Sequence, residues 1–147
     1  MMLHGLLRAL LSSFLGTLGF AVLLHSPRRA IIPASIVGAA AYLLYWLLLT
    51  LGAPEYIAVF MGALCGSLSA QWLARRMHMI ATVFVLLSIV AAVPGLGLYR
   101  CMELLGASSP EALAVGVSAM VSIVMIVLGI GMGSFLFRAA LSLKHPR

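Results

Sequence analysis

Five long apolar stretches dominate this sequence and restrict its fold more than any other feature. With breaks at charged residues and at Pro and Gly, they run over residues 6–25, 30–51, 56–74, 79–98 and 112–137. A helix needs about 20 apolar residues to cross the hydrocarbon core of a bilayer. The connections are short and leave no room for a soluble domain. The sequence therefore predicts an all-α integral membrane protein, a bundle of five transmembrane helices that forms a single domain over residues 1–147.

The first stretch resembles a signal peptide, because Arg8 precedes an apolar run from Ala9 to Leu24. It is followed, however, by the basic turn His25 to Arg29 and not by a small-x-small cleavage pattern. We therefore expect it to remain as the first membrane helix.

Lys and Arg are distributed unevenly between the two sides of the predicted bundle. Only Arg8 and Arg100 fall on one side, and by the positive-inside rule the richer side is cytoplasmic. The prediction is an outside N-terminus and an inside C-terminus. The net charge of +6 is thus a topology signal, and we expect the lipid bilayer, not nucleic acid, as the partner of the chain. The inner group comprises Arg28, Arg29, Arg75, Arg76, Arg138, Lys144 and Arg147.

Two pairs of glycines have the spacing that lets membrane helices approach closely. Gly62 and Gly66 form GxxxG in the third stretch, and Gly129 and Gly133 form another in the fifth. We assign all four to helix packing. The sequence leaves open whether they join helices of one subunit or associate with another chain, including a second copy.

The end of the fourth stretch is the strongest candidate for a functional site. Pro94, Gly95 and Gly97 interrupt the regular helix roughly 22 Å across a core of ~30 Å, so the fourth helix is predicted to be broken at Pro94-Gly95. Broken helices at this depth commonly line substrate routes in transporters. We place Tyr99 and Arg100 in the same candidate pathway, since a guanidinium binds a carboxylate on a solute. The alternatives are a simple kink at the proline, an Arg100 that reaches lipid headgroups and a Tyr99 that anchors the helix in the interfacial aromatic belt.

Few other polar residues interrupt the apolar stretches. Gln71, near the inner end of the third stretch, is a candidate for helix-to-helix hydrogen bonding and for the same pathway. The chain contains no Asp and none of the common catalytic motifs, so an enzyme is not expected. The four His and two Cys have no ligand spacing, and neither a metal nor another cofactor is expected. Because no acid or His falls in mid-membrane, titrating groups for coupled transport would have to come from another chain.

Several segments together resemble a known family, and their order and spacing carry the match. The resemblance covers residues 16–102, and the remainder agrees in hydropathy. The chain resembles the small, YjjB-type subunit of two-component threonine/serine exporter-like proteins. The segments are Gly19-Phe20-Ala21, Pro27-Arg28-Arg29-Ala30, Gly62 to Gln71-Trp72, Thr82-Val83-Phe84, and Val93-Pro94-Gly95 with Tyr99.

The resemblance implies a bacterial inner-membrane protein that works with a larger, YjjP-like membrane subunit. It implies outward transport of small amino acids such as threonine and serine, or of dicarboxylates such as succinate. The chain departs from the family at His25-Ser26, where an Asn-Val pair is common, and at Ala91, where a second proline is common. The second departure leaves one helix breaker instead of two.

Two other functions fit the same sequence. A membrane scaffold without a route of its own would associate through the GxxxG faces. A homo-oligomeric pore would need no partner and would give passive, uncoupled flux.

Overall fold

The computed structural model describes residues 2–90 and 95–144, which form six α-helices with no strand among them. Four of these helices contain a segment long and apolar enough to cross a membrane: Gly5–Leu23, Arg28–Thr50, Glu55–Arg76 and Ala112–Ser142. The all-helical fold predicted from the sequence is confirmed. The helices are α1 (Met2–Leu23), α2 (Arg28–Thr50), α3 (Glu55–Arg76), α4 (Ala81–Val90), α5 (Gly95–Gly106) and α6 (Ala112–Lys144).

The predicted fourth span, residues 79–98, is the region where the structure differs most from the prediction. Residues 81–90 of this span belong to α4 and residues 95–98 to α5, and residues 91–94, which include Pro94, lie outside the described part of the chain. α5 continues to Gly106, so the connection predicted from Tyr99 to Glu111 is wrong over residues 99–106. The reason is that Arg100 and Glu103 interrupt the apolar run but do not end the helix, because both lie on the exposed side of an amphipathic helix.

The last helix also runs past its predicted end at residue 137 and continues to Lys144. Arg138 interrupts the apolar run but does not end the helix, because a cation near a helix C-terminus interacts favourably with the helix dipole.

Helix α3 occupies the centre of the bundle and packs on α2, α4 and α6. A Cβ atom at Gly129 of α6 would lie against Phe60 to Leu64, and one at Gly133 would lie against Leu64 and Ser67. The contacts therefore advance in the same direction along both helices, and α3 and α6 are parallel. α2 is antiparallel to α3, α1 packs along α2, and α5 packs on α6.

Small residues make these close contacts possible. Alanines are buried throughout the interfaces, and Phe84 and Leu87 of α4 are fully buried among α1, α2 and α3. Lipid supplies no hydrophobic force between helices, so such packing at short range is the main source of association. The buried alanines of the largest cluster are Ala21, Ala30, Ala34, Ala70 and Ala74.

Four tight turns end the helices in the same way. His25, Gly52, His78 and Ser108 each have a left-handed backbone, with φ between 51° and 85°. In each turn the next residue donates its N–H to a carbonyl five residues earlier, as Ser26 does to Ala21 at 3.0 Å. This is the Schellman pattern, which satisfies carbonyl groups at a helix end. It reverses the chain within a few residues and keeps consecutive helices adjacent.

Candidate functional site

A buried polar cluster joins α3 to α6 in the half of the bundle that contains the C-terminus of α3. Gln71 Nε2 donates to Ser134 Oγ at 2.9 Å and to Ser67 Oγ at 3.3 Å. Ser67 Oγ donates to the carbonyl of Ile130 at 3.2 Å. Ser67 and Gln71 are both buried. Each side chain of the cluster thus has a partner within the protein, and the cluster fixes α6 against α3.

The glycines of α6 bring the two helices close enough for these bonds. A Cβ on Gly129 would come within 2.8 Å of the Phe60 carbonyl oxygen, and a Cβ on Gly133 within 3.0 Å of Ser67. Real Cβ atoms do not approach backbone that closely, so only glycine fits at Gly129 without a shift of the helices. The pair lies at an interface within one chain.

Gly62 and Gly66 of α3 face a different interface. A Cβ at Gly62 would meet the Ala41 carbonyl of α2 at 3.2 Å, and one at Gly66 would meet Ser88 of α4 at 3.3 Å. Both glycines are buried, and neither is available to a second chain.

The remaining candidates of the pathway lie on or before α5. Gly95 begins α5 and Gly97 follows in its first turn, whereas Pro94 lies outside the described residues. Tyr99 is 65% exposed and Arg100 is also exposed. The α5 side that carries Cys101 packs against the beginning of α6, where Cys101 Sγ donates to the Ala112 carbonyl at 3.4 Å.

The structure does not bring Gln71 together with Tyr99 and Arg100. Cys101 contacts Gly116, whereas Gln71 contacts Ser134, eighteen positions further along α6. At 1.5 Å per residue the two groups lie about 27 Å apart along the helix. The five described residues proposed for the pathway therefore lie in two separate regions, with Gly95, Gly97, Tyr99 and Arg100 on α5 and Gln71 at the opposite end of the α6 interface.

Other buried hydroxyls bond mainly to backbone carbonyls. Thr17 Oγ1 donates to Ser13 at 2.8 Å, and Ser88 Oγ donates to Val85 at 2.8 Å. Sequence reasoning missed Ser67 and Ser134, although their spacing from Gln71 and Gly133 was readable. The buried polar side chains in the described part are Ser13, Thr17, Ser35, Ser67, Gln71, Ser88 and Ser122, all uncharged.

Within residues 2–90 and 95–144, no carboxylate, imidazole, amine or guanidinium is buried among the side chains that the structure describes, which do not include His4 and Lys144. Over the same part of the chain, no three His, Cys, Asp or Glu side chains lie close enough to hold a metal ion. Cys65 and Cys101 are free thiols, each half-buried.

Two apolar grooves open on the surface of the bundle. One, of about 500 Å³, lies between α2 and α3 and is lined by residues such as Pro33, Val37 and Trp72. The other, of about 620 Å³, lies between α5 and α6. Its α5 wall is formed by Leu98, Cys101 and Leu105, and its α6 wall by side chains within residues 112–125.

Long apolar helices, close packing through Gly and Ala, and an interior of hydroxyls with one amide define an α-helical membrane protein. The chain belongs to the threonine/serine exporter family, because the family model described as "Threonine/Serine exporter, ThrE" matches residues 9–136. The resemblance to the threonine/serine exporter family is thereby confirmed, and with it an exporter-type role in membrane transport. No curated protein and no solved structure matches the chain.

Proposed function

We propose that this chain is the small subunit of a two-component exporter in a bacterial inner membrane. It works with a larger membrane subunit to move threonine, serine or a succinate-like dicarboxylate outward. The observation that carries the proposal is the interior of the bundle, in which every described buried polar group is an uncharged hydroxyl or amide. Coupled carriers generally keep ionisable groups in the membrane for ion and substrate binding. A second subunit would supply them.

The placement of α5 supports a second subunit. Among the described helices α5 packs chiefly on α6, and its remaining sides are open. Tyr99, Met102 and Leu105 are each more than 60% exposed. A larger subunit that packs against α5 would enclose the route from the Pro94-Gly95 segment to Arg100.

Five crossings with an outside N-terminus and an inside C-terminus are part of this proposal. The parallel packing of α3 and α6 supports them. If no crossing lay between these two helices, they would be consecutive crossings and would run antiparallel. The chain must return across the membrane between Arg76 and Ala112. α4 and α5 together, with 22 helical residues at 1.5 Å each, provide about 33 Å for that return.

Within this route Arg100 is assigned to the solute carboxylate, and Pro94, Gly95, Gly97 and Tyr99 to the walls around it. Gln71, which lies within the α3–α6 interface, is assigned to the inner end of the route. No chemical step is assigned to the chain, which we propose is not an enzyme.

Reconstitution into proteoliposomes tests the proposal. The chain is assayed alone and with its larger partner for export of threonine, serine and succinate. We expect coupled flux only from the pair. Full coupled activity of the chain alone would contradict the two-subunit assignment, and passive flux from the chain alone would favour a homo-oligomeric pore.

The route is tested in the same assay with Pro94→Ala and Arg100→Gln. Both are expected to lower transport, and Arg138→Gln, an exposed arginine on α6, is the matched control and is expected to leave it unchanged. Equal rates for Arg100→Gln and the unmodified chain would remove Arg100 from the site. If the two subunits form a complex but the complex transports no solute, a scaffold role for this chain would be favoured.

A further inference from the structure

We propose that the groove between α2 and α3 binds an anionic phospholipid, with an acyl chain in the groove and the phosphate at Arg29 and Arg76. The groove is an open volume of about 500 Å³ on the bundle surface. Its walls are almost entirely apolar, so an acyl chain fits its chemistry. The lining residues are Pro33, Ile36, Val37 and Ala40 on α2 and Leu68, Ser69, Trp72 and Leu73 on α3.

Each wall of the groove continues into an arginine at the same end. Arg29 precedes Pro33 by four positions on α2, and Arg76 follows Trp72 by four positions on α3. Residues four apart lie on one face of a helix, so both arginines extend the walls. α2 and α3 are antiparallel, and Ala41 lies opposite Gly62 and Gly66. Arg29 lies about twelve residues before Ala41 on α2, and Arg76 lies about twelve residues after the middle of the Gly62–Gly66 segment on α3. Because both helices rise by the same amount per residue, the two arginines lie at the same level of the bundle.

Trp72 holds one of the two cations at the opening of the groove. The Arg76 guanidinium carbon lies 5.3 Å from the centre of the indole ring. This is a cation–π geometry that orders the arginine side chain. A guanidinium stacked in this way keeps its N–H donors in the plane, where they bind two phosphate oxygens at once.

The charges at this end are not balanced by acids of the chain. The sequence contains only three acidic residues. Glu55 begins α3 at the opposite end of the helix from Arg76, Glu103 lies in α5, and Glu111 precedes α6. A phosphate therefore supplies the negative charge that the described residues lack here. Basic openings between membrane helices are known positions for anionic lipid headgroups.

Native mass spectrometry of the purified chain tests the site with three probes. These are phosphatidylglycerol, phosphatidylcholine with the same acyl chains, and glycerol phosphate, which has the headgroup anion without chains. We expect the tightest binding for phosphatidylglycerol and none for glycerol phosphate. Equal affinity for the two lipids, or competition by glycerol phosphate at the lipid's own concentration, would overturn the proposal.

Variants separate the two parts of the site. The double change Arg29→Gln with Arg76→Gln is expected to weaken phosphatidylglycerol binding about 30-fold, from about fivefold per arginine. The matched control is Arg28→Gln with Arg138→Gln, which removes two exposed cations that do not continue the walls. An equal loss in the control pair would show diffuse surface attraction and contradict the site.

The groove itself is tested by Ala40→Trp, which fills it from an exposed position, with Ala140→Trp on exposed α6 surface as the control. Ala40→Trp is expected to reduce binding of both lipids, and Ala140→Trp to change neither. Unchanged lipid binding in Ala40→Trp would show that the acyl chain lies elsewhere.

Discussion

Two glycines two positions apart on α6 have opposite surroundings. A Cβ added at Gly129 would come within 2.8 Å of the Phe60 oxygen and 3.1 Å of the Leu64 nitrogen, both backbone atoms. A Cβ added at Gly131 would meet nothing within 4 Å. The same substitution therefore has opposite effects at the two positions, in agreement with the GxxxG spacing, which includes Gly129 but not Gly131.

Gly129→Ala is predicted to destabilise the folded chain by about 1–3 kcal/mol, because α3 and α6 must separate to admit the methyl group. Gly131→Ala is expected to be neutral or stabilising, since Ala is favoured over Gly in a helix by up to about 1 kcal/mol. Unfolding in mixed detergent micelles measures both. Equal stability of the two variants would contradict the close contact between α3 and α6.

The hydrogen bond from Gln71 to Ser134 gives a second prediction for single residues. Across membrane helices such bonds contribute on average about 0.6 kcal/mol and at most about 1.7 kcal/mol. A double-mutant cycle of Gln71→Ala and Ser134→Ala is expected to give a coupling in that range. The control cycle pairs Gln71→Ala with Ser122→Ala, whose hydroxyl bonds to Ser118 on its own helix. Zero coupling with Ser134, or equal coupling with Ser122, would contradict the bond.

Among the elements, the long helices were predictable from the sequence and the helical course of residues 99–106 was not. The apolar length of α2, α3 and α6 exceeds what a loop tolerates, so hydropathy alone locates them. α5 has a different signal, in which Arg100 and Glu103 fall on one side and Leu98 and Cys101 on the other. That pattern indicates a helix that contacts its neighbour along one side only.

The turns show a similar limit. Gly52 is a readable signal for a left-handed helix end, but His25, His78 and Ser108 adopt the same conformation without glycine. Their geometry is imposed by the close packing of consecutive helices, which no local pattern reports. The polar cluster shows a related limit, because the four-residue spacing of Ser67 and Gln71 is readable, whereas Ser67 and Ser134 are 67 positions apart and meet only through the parallel packing of α3 and α6.

The placement of α5 on α6 can be tested by cross-linking. A Cβ at position 116 would lie 2.8 Å from the Cys101 sulfur, close enough for a disulfide. In a Cys65→Ser background, Gly116→Cys is predicted to form an intramolecular disulfide with Cys101 upon mild oxidation. Ala114→Cys is the matched control, since this exposed residue lies outside the α5–α6 groove. Cross-linking of the control alone, or of neither variant, would contradict the observed pairing.

For the whole molecule, the direction of α6 relative to α3 is the property that decides topology. The order of contacts from Gly129 to Gly133 makes the two helices parallel. If α4 and α5 did not cross the membrane, α6 would begin on the side where α3 ends and would run antiparallel to it. Four crossings by the long apolar helices alone would therefore not make α3 and α6 parallel. The number of crossings thus depends on α4 and α5, each of which is too short to span a bilayer by itself.

Labelling of single cysteines distinguishes the two topologies. In a background of Cys65→Ser and Cys101→Ser, a cysteine is placed at His78, in the turn before α4, or at Ser108, in the turn after α5. Both positions are exposed. We expect a membrane-impermeant maleimide to label the Ser108→Cys variant in intact spheroplasts, and the His78→Cys variant only after the membrane is opened.

The other labelling results would each contradict a different part of this topology. Labelling of both variants, or of neither, before the membrane is opened would place the two turns on one side and contradict the return through α4 and α5. Labelling of the His78→Cys variant alone would keep five crossings but reverse the orientation, against the arginines at positions 28, 29, 75 and 76. Because α3 and α6 are parallel, we expect the two turns to lie on opposite sides whichever orientation is correct.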